Sequence, residues 1–305
     1  MIGARRSHVR GLAGYGVLKL ETHLHSLHSD GAAEVAAMFA ACHAAGYDAV
    51  ALTDHNTTSG LGEAHQAAAA LGLIAIDGVE VTTFRGHIVA LGVRSVPEWR
   101  DLDERGIDAL ARDIHRAGGV VCVAHPSRLG SPLCSGCAWD WPIDPRLIDL
   151  WEIFSAPQPQ APHPEVSLGL WRAHLAAGAH AAPVAAGDVH AVAAAQAARA
   201  ATYVYVAEPS PAGVLEALRA RRLFASRGPR LDFWLEAGDQ QALPGSRVGP
   251  ADWRARVEPW GAVVETVATP AGECRYAVLR SADGALEAIS APIWTRTSQR
   301  PETSV

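Results

Sequence analysis

The chain has 305 residues, of which 49% are hydrophobic and 19% charged. That balance supplies a core for one large domain, or one large and one small, and excludes wholesale disorder. A net charge of −6 argues against a chain-wide basic surface, so no nucleic-acid polymer is expected as partner. No run of about 18 uncharged apolar residues occurs, so neither a spanning helix nor a membrane partner is expected. The first residues are basic but lead into no apolar stretch of signal-peptide length, and a cytoplasmic protein is expected. The five cysteines are odd in number and mostly scattered, which speaks against a disulfide framework.

In chain order, residues 1–16 are Gly- and Arg-rich and read as a flexible tail. Strands are predicted at 17–20, 49–53, 73–76, 79–83, 87–91, 120–124, 147–154, 183–186 and 202–206. Helices fall between them at 33–45, 60–71, 107–117, 166–177 and 211–220, with Gly118-Gly119 stopping the third and Ser210 capping the last. This alternation predicts a parallel α/β architecture. Polar residues recur just after many of the strands, which favours a barrel, where strand ends converge on one face. Residues 129–144 and 157–164 break the rhythm and read as long loops on that face, suited to a lid or to substrate contacts. Beyond Ala225 only short strand-like runs follow, at 231–235, 253–257, 262–267, 275–279 and 289–294. The expected division is a tail at 1–16, a barrel at 17–226, a small sandwich-like all-β domain at 227–296 and a polar tail at 297–305.

Six segments carry the chemistry. The first predicted strand runs into Glu21-Thr22-His23-Leu24-His25-Ser26-Leu27-His28-Ser29-Asp30-Gly31, where His23 and His25 share a side if the strand geometry continues. The others are Thr53-Asp54-His55, Glu80 on an apolar strand, Gly86-His87, His125-Pro126 and Asp188-Val189-His190. Asp54 suits either the orientation of an imidazole or a helix cap. An acid such as Glu80 on a buried strand is costly unless paired, and coordination of a cation offsets that cost. Singly, each of these residues could be a satisfied core or capping group. Repeated at strand end after strand end, they imply a multinuclear metal centre.

These motifs, in this order over about residues 17–225, resemble the PHP (polymerase and histidinol phosphatase) superfamily of metal-dependent phosphoesterases. The resemblance implies a distorted (β/α)7 TIM-like barrel with two or three divalent ions, Zn²⁺, Mn²⁺ or Fe²⁺, at the strand ends. It implies that His23, His25, Glu80 and Asp188 hold one ion. Glu80 then bridges to a second, completed by His87 and His125, while Asp30, His55 and His190 hold a third. The stretch from Thr202 to Pro229 resembles a carbaryl-hydrolase-like branch, which carries a small β domain and includes enzymes that cleave aryl carbamates. The implied reaction is hydrolysis of a small-molecule phosphoester by a metal-bridged hydroxide. Carbamate or amide hydrolysis on the same centre is the alternative, since either carbonyl or phosphoryl oxygen can be polarised by the same ions. A non-catalytic ligand-binding module is the third reading, and the full set of nine ligand positions argues against it.

Around this core, Glu80 and Asp188 are expected at the reacting centre. His28 suits a proton donor to the leaving group or a cap on its own loop. Arg128 suits a phosphate clamp, and Arg227 and Arg230 are further anion contacts if the linker folds back over the mouth. Trp139 and Trp141 would form an apolar wall for substrate, or merely anchor their loop. Glu152, an acid on an apolar strand, suits a supporting or substrate-facing role. Cys134 and Cys137 have CxxC spacing without a second pair, and read as loop cysteines.

Overall fold

The computed structural model describes residues 5–6, 14–129, 137–155, 164–197 and 200–296. Its elements are β1 (Arg5–Arg6), β2 (Gly16–Glu21), α1 (Val35–Ala44), β3 (Ala49–Leu52), α2 (Leu61–Leu71), β4 (Ile74–Thr83) and β5 (Gly86–Leu91). There follow α3 (Leu102–Arg105), α4 (Ile107–Arg116), β6 (Val120–Val123), β7 (Leu150–Phe154), α5 (Pro164–Ala176), β8 (Ala182–Ala185), α6 (Val192–Ala197), β9 (Ala201–Val206), α7 (Pro211–Arg219) and β10 (Leu223–Ser226). The rest is strand: β11 (Asp232–Ala237), β12 (Gln240–Ala242), β13 (Arg247–Val248), β14 (Arg254–Glu258), β15 (Val263–Thr269), β16 (Gly272–Arg280), β17 (Leu286–Ser290) and β18 (Ile293–Arg296). No helix among the described residues is long and apolar enough to cross a membrane.

Strands β9, β2, β3, β4, β5, β6, β7 and β8 are consecutive neighbours in one sheet. Alternate side chains point inward and form one buried cluster, including Leu18 and Leu20, Ala49 and Ala51, Val89 and Leu91, Val120 and Cys122, and Ala182 and Val184. That two-residue period is what a closed barrel demands of its strands. Closure between β8 and β9 uses a side chain: the Thr202 hydroxyl accepts from Ala185 N at 3.0 Å and donates to Ala185 O at 2.9 Å. Val214, Ala217 and Leu218 of α7 join the interior cluster. The barrel is distorted because β5 and β9 run against the other strands. The strand runs expected at 73–76 and 79–83 form the single long β4, which turns through Phe84 and Arg85 into β5.

The strand-rich remainder is joined to the barrel rather than tethered to it. β10 pairs with β9 on one side and with β17 on the other, so one sheet runs through both regions. A separate three-stranded sheet, β12-β11-β14, lies apart from that path. Phe233 and Leu235 of this sheet cluster with Phe224, Ala277, Ala288 and Ile293 of the continuous one, giving two packed layers. The Trp171 ring of α5 meets Tyr276 of β16 edge-on at 4.9 Å. A chain cut after Ser226 would therefore bare both the β10 edge and one face of α5.

The expected tail contains a strand: Arg5 and Arg6 pair with Val17 and Gly16. β3 covers only Leu20 and Glu21 of that edge of β2, which leaves its first backbone groups open for β1. Residues 297–305, Cys134 and nearly all of the expected loop at 157–164 lie outside the described residues. β10, α3 and α6 had no counterpart among the elements expected from sequence, being short and without a clear period.

Candidate metal centre

The strand directions bring the chemistry-bearing segments to one end of the barrel. β2, β3, β6 and β8 each end just before a cluster residue, so His23, His25, His55, His125 and Asp188 follow strand C-termini. His87 arrives differently: it opens β5, whose reversal puts its first residues at the same end as Thr83. Glu80 lies within β4, which overshoots its neighbours. Two of these residues hold left-handed backbone, His125 at φ 26° and Asp188 at φ 43°. Such backbone strain is typical of sites that the surrounding structure over-determines. Here Glu152 Oε2 accepts from His125 N at 2.7 Å, and Glu21 Oε1 accepts from Gly187 N at 2.7 Å. Gly187 is required because a Cβ there would stand 2.6 Å from Glu21 Oε2, and Gly31 because one would meet the His25 backbone at 2.6 Å.

Both oxygens of the Glu80 carboxylate are shared, and by different residues. Oε2 lies 3.0 Å from His23 Nε2, 3.2 Å from His25 Nε2 and 3.0 Å from His55 Nδ1. Oε1 lies 2.9 Å from His87 Nδ1 and 3.0 Å from His125 Nε2. Asp188 Oδ1 completes the first side, 3.5 Å from His23 Nε2 and 3.2 Å from His25 Nε2. Nearer solvent, Asp30 Oδ2 stands 3.4 Å from His55 Nε2 and 3.3 Å from His190 Nε2, and Asp30 Oδ1 is 3.7 Å from His25 Nδ1. His25 thus turns one ring nitrogen to each set.

These spacings fit a cation. Four donors placed tetrahedrally at 2.0–2.1 Å from one ion stand about 3.3–3.4 Å apart. The buried atoms His23 Nε2, His25 Nε2 and Glu80 Oε2 approach one another without any hydrogen bond among the described residues. Buried polar atoms that converge without bonding are costly, and a shared cation offsets that cost.

Without an ion the charges compensate one another. Burial alone would lower the His23 pKa, but Glu80, Glu152 and Asp188 outweigh it and hold the imidazole well above its usual range. Burial opposes ionisation of Glu80 and Asp188, yet His23 and its neighbours hold both well below the usual carboxylate range. His55, although half-buried, is raised to about 10 by Asp30 and Glu80. An entering cation displaces these protons, so binding weakens as pH falls.

Support comes from Glu152 and Asp54, which the sequence singled out without revealing their partners. Glu152 Oε1 is 2.8 Å from His23 Nδ1, which orients that ring, while its other oxygen holds the His125 backbone. An acid within the apolar run of β7 was the signal, without a partner to interpret it. Among the described residues Asp54 is hydrogen-bonded to the His23–Asp30 loop rather than to an imidazole or a helix N-terminus. It accepts from Ser26 N at 2.7 Å, Ser26 Oγ at 2.8 Å and Ser29 Oγ at 2.6 Å, and so fixes the His23–Asp30 loop.

His28, expected either as a proton donor or as a cap on its own loop, is held by neighbouring side chains. Its ring nitrogens face Ser59 Oγ at 2.8 Å and Glu63 Oε1 at 3.1 Å, so α2 takes up the side chain. Arg128 is buried and ion-paired with Asp188, while its Nε and Nη2 have no partner among the described residues. Arg227 lies over the Phe154 ring at 5.2 Å, at the end of β7. Arg230 is bound to Asp232 instead. Trp141 is buried and donates to Thr83 Oγ1 at 2.8 Å, and Trp139 lies against Gly86, so both pin their loop to the β4–β5 turn. Cys137 is disulfide-bonded.

Residues 21–125 match the PHP domain family. No curated protein matches the chain. Among solved structures it is similar to a two-domain protein from Bacteroides vulgatus containing a predicted PHP-like metal-dependent phosphoesterase. The identity is 16% and the TM-score 0.55, with 94% of this chain and 98% of that one covered. The fold is therefore the PHP-like barrel followed by a strand-rich region. An amidohydrolase from Chromobacterium violaceum, with sulfate and no metal bound, is 22% identical over 56% of this chain and 87% of that one, with a TM-score of 0.38. A lesion-specific endonuclease from Pyrococcus furiosus is 13% identical over 67% and 56%, with a TM-score of 0.43.

Proposed function

We propose that the protein is a metal-dependent hydrolase of small-molecule phosphoesters, with Glu80 bridging two divalent ions and Asp30, His55 and His190 able to hold a third. The carrying observation is the division of the Glu80 carboxylate, one oxygen toward His23, His25 and His55 and the other toward His87 and His125. Ions bound there would polarise an ester oxygen and activate water at neutral pH. The chain's own residues do the rest. Glu152 and the Cys137 carbonyl, 3.3 Å from His125 Nδ1, fix the ring orientations of His23 and His125. Arg128 presents two unpaired donors beside the inner set, suited to an anionic substrate. Arg227, over the Phe154 ring at the end of β7, is suited to be a second cationic contact.

Carbamate hydrolysis would use the same ions, but of the two tryptophans expected as the aryl wall Trp141 is only 9% exposed and Trp139 is half-buried against Gly86. The test is a screen of Mn²⁺-, Zn²⁺- or Fe²⁺-loaded protein against p-nitrophenyl phosphate, nucleotide bisphosphates and 1-naphthyl carbamates. Phosphate release is expected. Carbamate turnover with no phosphate released from any ester would replace this reading with the other.

A further inference from the structure

Three buried side chains beside the centre offer metal-ligand atoms that lie within 4.8 Å of one another: His87, His125 and Cys137. Their exposures are 4%, 3% and 1%. The Cys137 segment is pinned to both partners. Its carbonyl faces His125 Nδ1 at 3.3 Å, and two residues on Trp139 N donates to Pro126 O at 3.0 Å. Trp141 then bonds to Thr83, on the hairpin that carries His87. The sulfur is therefore delivered to the two imidazoles by a braced backbone. Cys137 is disulfide-bonded, whereas Cys42, Cys122 and Cys274 are free. A sulfur held in a disulfide is a poor ligand, while a thiolate is a strong, soft one.

We propose that Cys137 is a redox-gated metal ligand. In the reduced protein its thiolate joins His87 and His125 on an ion, and in the oxidised protein the disulfide withholds it. The inference rests on the reading of this site as a metal centre. The switch is thiol–disulfide exchange with a dithiol reductant. The reductant gives up two protons and two electrons and closes its own S–S bond. The protein's S–S bond breaks, and its two sulfurs take up those protons and electrons as thiols. The Cys137 thiol then releases its proton to solvent as it binds the ion. Reduction thereby shifts the site toward softer ions, Zn²⁺ or Fe²⁺ over Mg²⁺.

The test uses Co²⁺ as probe on the full chain, stripped of metal, oxidised or reduced with the reductant then removed. Imidazole and carboxylate ligands give Co²⁺ weak visible bands, and a thiolate adds an intense near-ultraviolet charge-transfer band. Reduced wild type should show both, and oxidised wild type only the visible bands. Reduced Cys137→Ser should lose the charge-transfer band although four other cysteines remain. Visible bands without a charge-transfer band in reduced wild type, or a band surviving in Cys137→Ser, would overturn the inference and leave the metal centre standing. No visible bands in any sample would remove the metal centre and this inference with it.

Discussion

The inner and outer halves of the cluster are built to different standards. The His23, His25 and Glu80 side chains are fully buried and Asp188 nearly so. Glu152 and Glu21 lie behind them and hold the segments that carry them. The outer residues are open: the side chains of Asp30, His55 and His190 are 56%, 25% and 29% exposed. The difference teaches that the inner set is a preformed cage that is costly to leave empty. The outer set is an accessible place for an exchangeable ion or for part of a substrate.

The largest effect should come from Glu80→Gln. It weakens the one carboxylate common to both inner positions. Metal content should drop from at least two ions per chain to one or fewer, and activity by about a thousandfold or more, roughly 4 kcal/mol. Elemental analysis and turnover check this, and near-normal values for both would refute the shared-ligand geometry. Glu152→Gln probes the cage from behind. It should weaken Zn²⁺ binding by about ten- to a hundredfold while the fold persists, as measured by competition with a chelator. Unchanged affinity would mean that His23 needs no orienting partner.

Arg128→Ala should cost about 1.5–3 kcal/mol in kcat/KM for a phosphoester, roughly ten- to a hundredfold. A neutral carbamate should be turned over as before, so the two substrates measured side by side separate the two reactions. Asp30→Asn should touch only the outer set, releasing one ion and sparing the inner pair. Loss of all bound metal in this variant would erase the distinction between the halves.

The smallest effect concerns Glu21 in the metal-free protein. Burial raises its pKa from 4.5 to about 7, against the pull of the Gly187 and His23 backbone N–H groups. The folded chain therefore holds this proton more tightly than the unfolded chain. That contribution to stability is full below pH 4.5 and is lost as pH rises through about 7. Glu21→Gln should flatten this part of the profile in chemical denaturation between those values. A slope identical to wild type would show that Glu21 ionises as if exposed.

The ligand-bearing segments were legible because metal ligands must be His, Asp or Glu and the strands deliver them at regular places. Glu80 stood out as an acid in an apolar strand. The partners of Glu152 and Asp54 were not legible, because each depends on which strands become neighbours: β7 beside β6, and β3 beside β2. The partners of His28 were hidden for the same reason, since its nearness to His25 in sequence says nothing of Ser59 and Glu63. The reversed strands β5 and β9 were also hidden, because a strand's apolar period carries no direction. The join between barrel and strand-rich region escaped notice because β10 is a four-residue run after a helix, too short to show a period.

The inner metal centre turns on whether one carboxylate serves two ions. Crystals of Zn²⁺-loaded protein, with anomalous scattering recorded at the zinc edge, test this most directly. The account predicts two strong peaks, one beside each oxygen of Glu80, the first among His23, His25 and Asp188 and the second beside His87 and His125. Peaks confined to the outer residues, or a single inner peak with one Glu80 oxygen left unliganded, would contradict it.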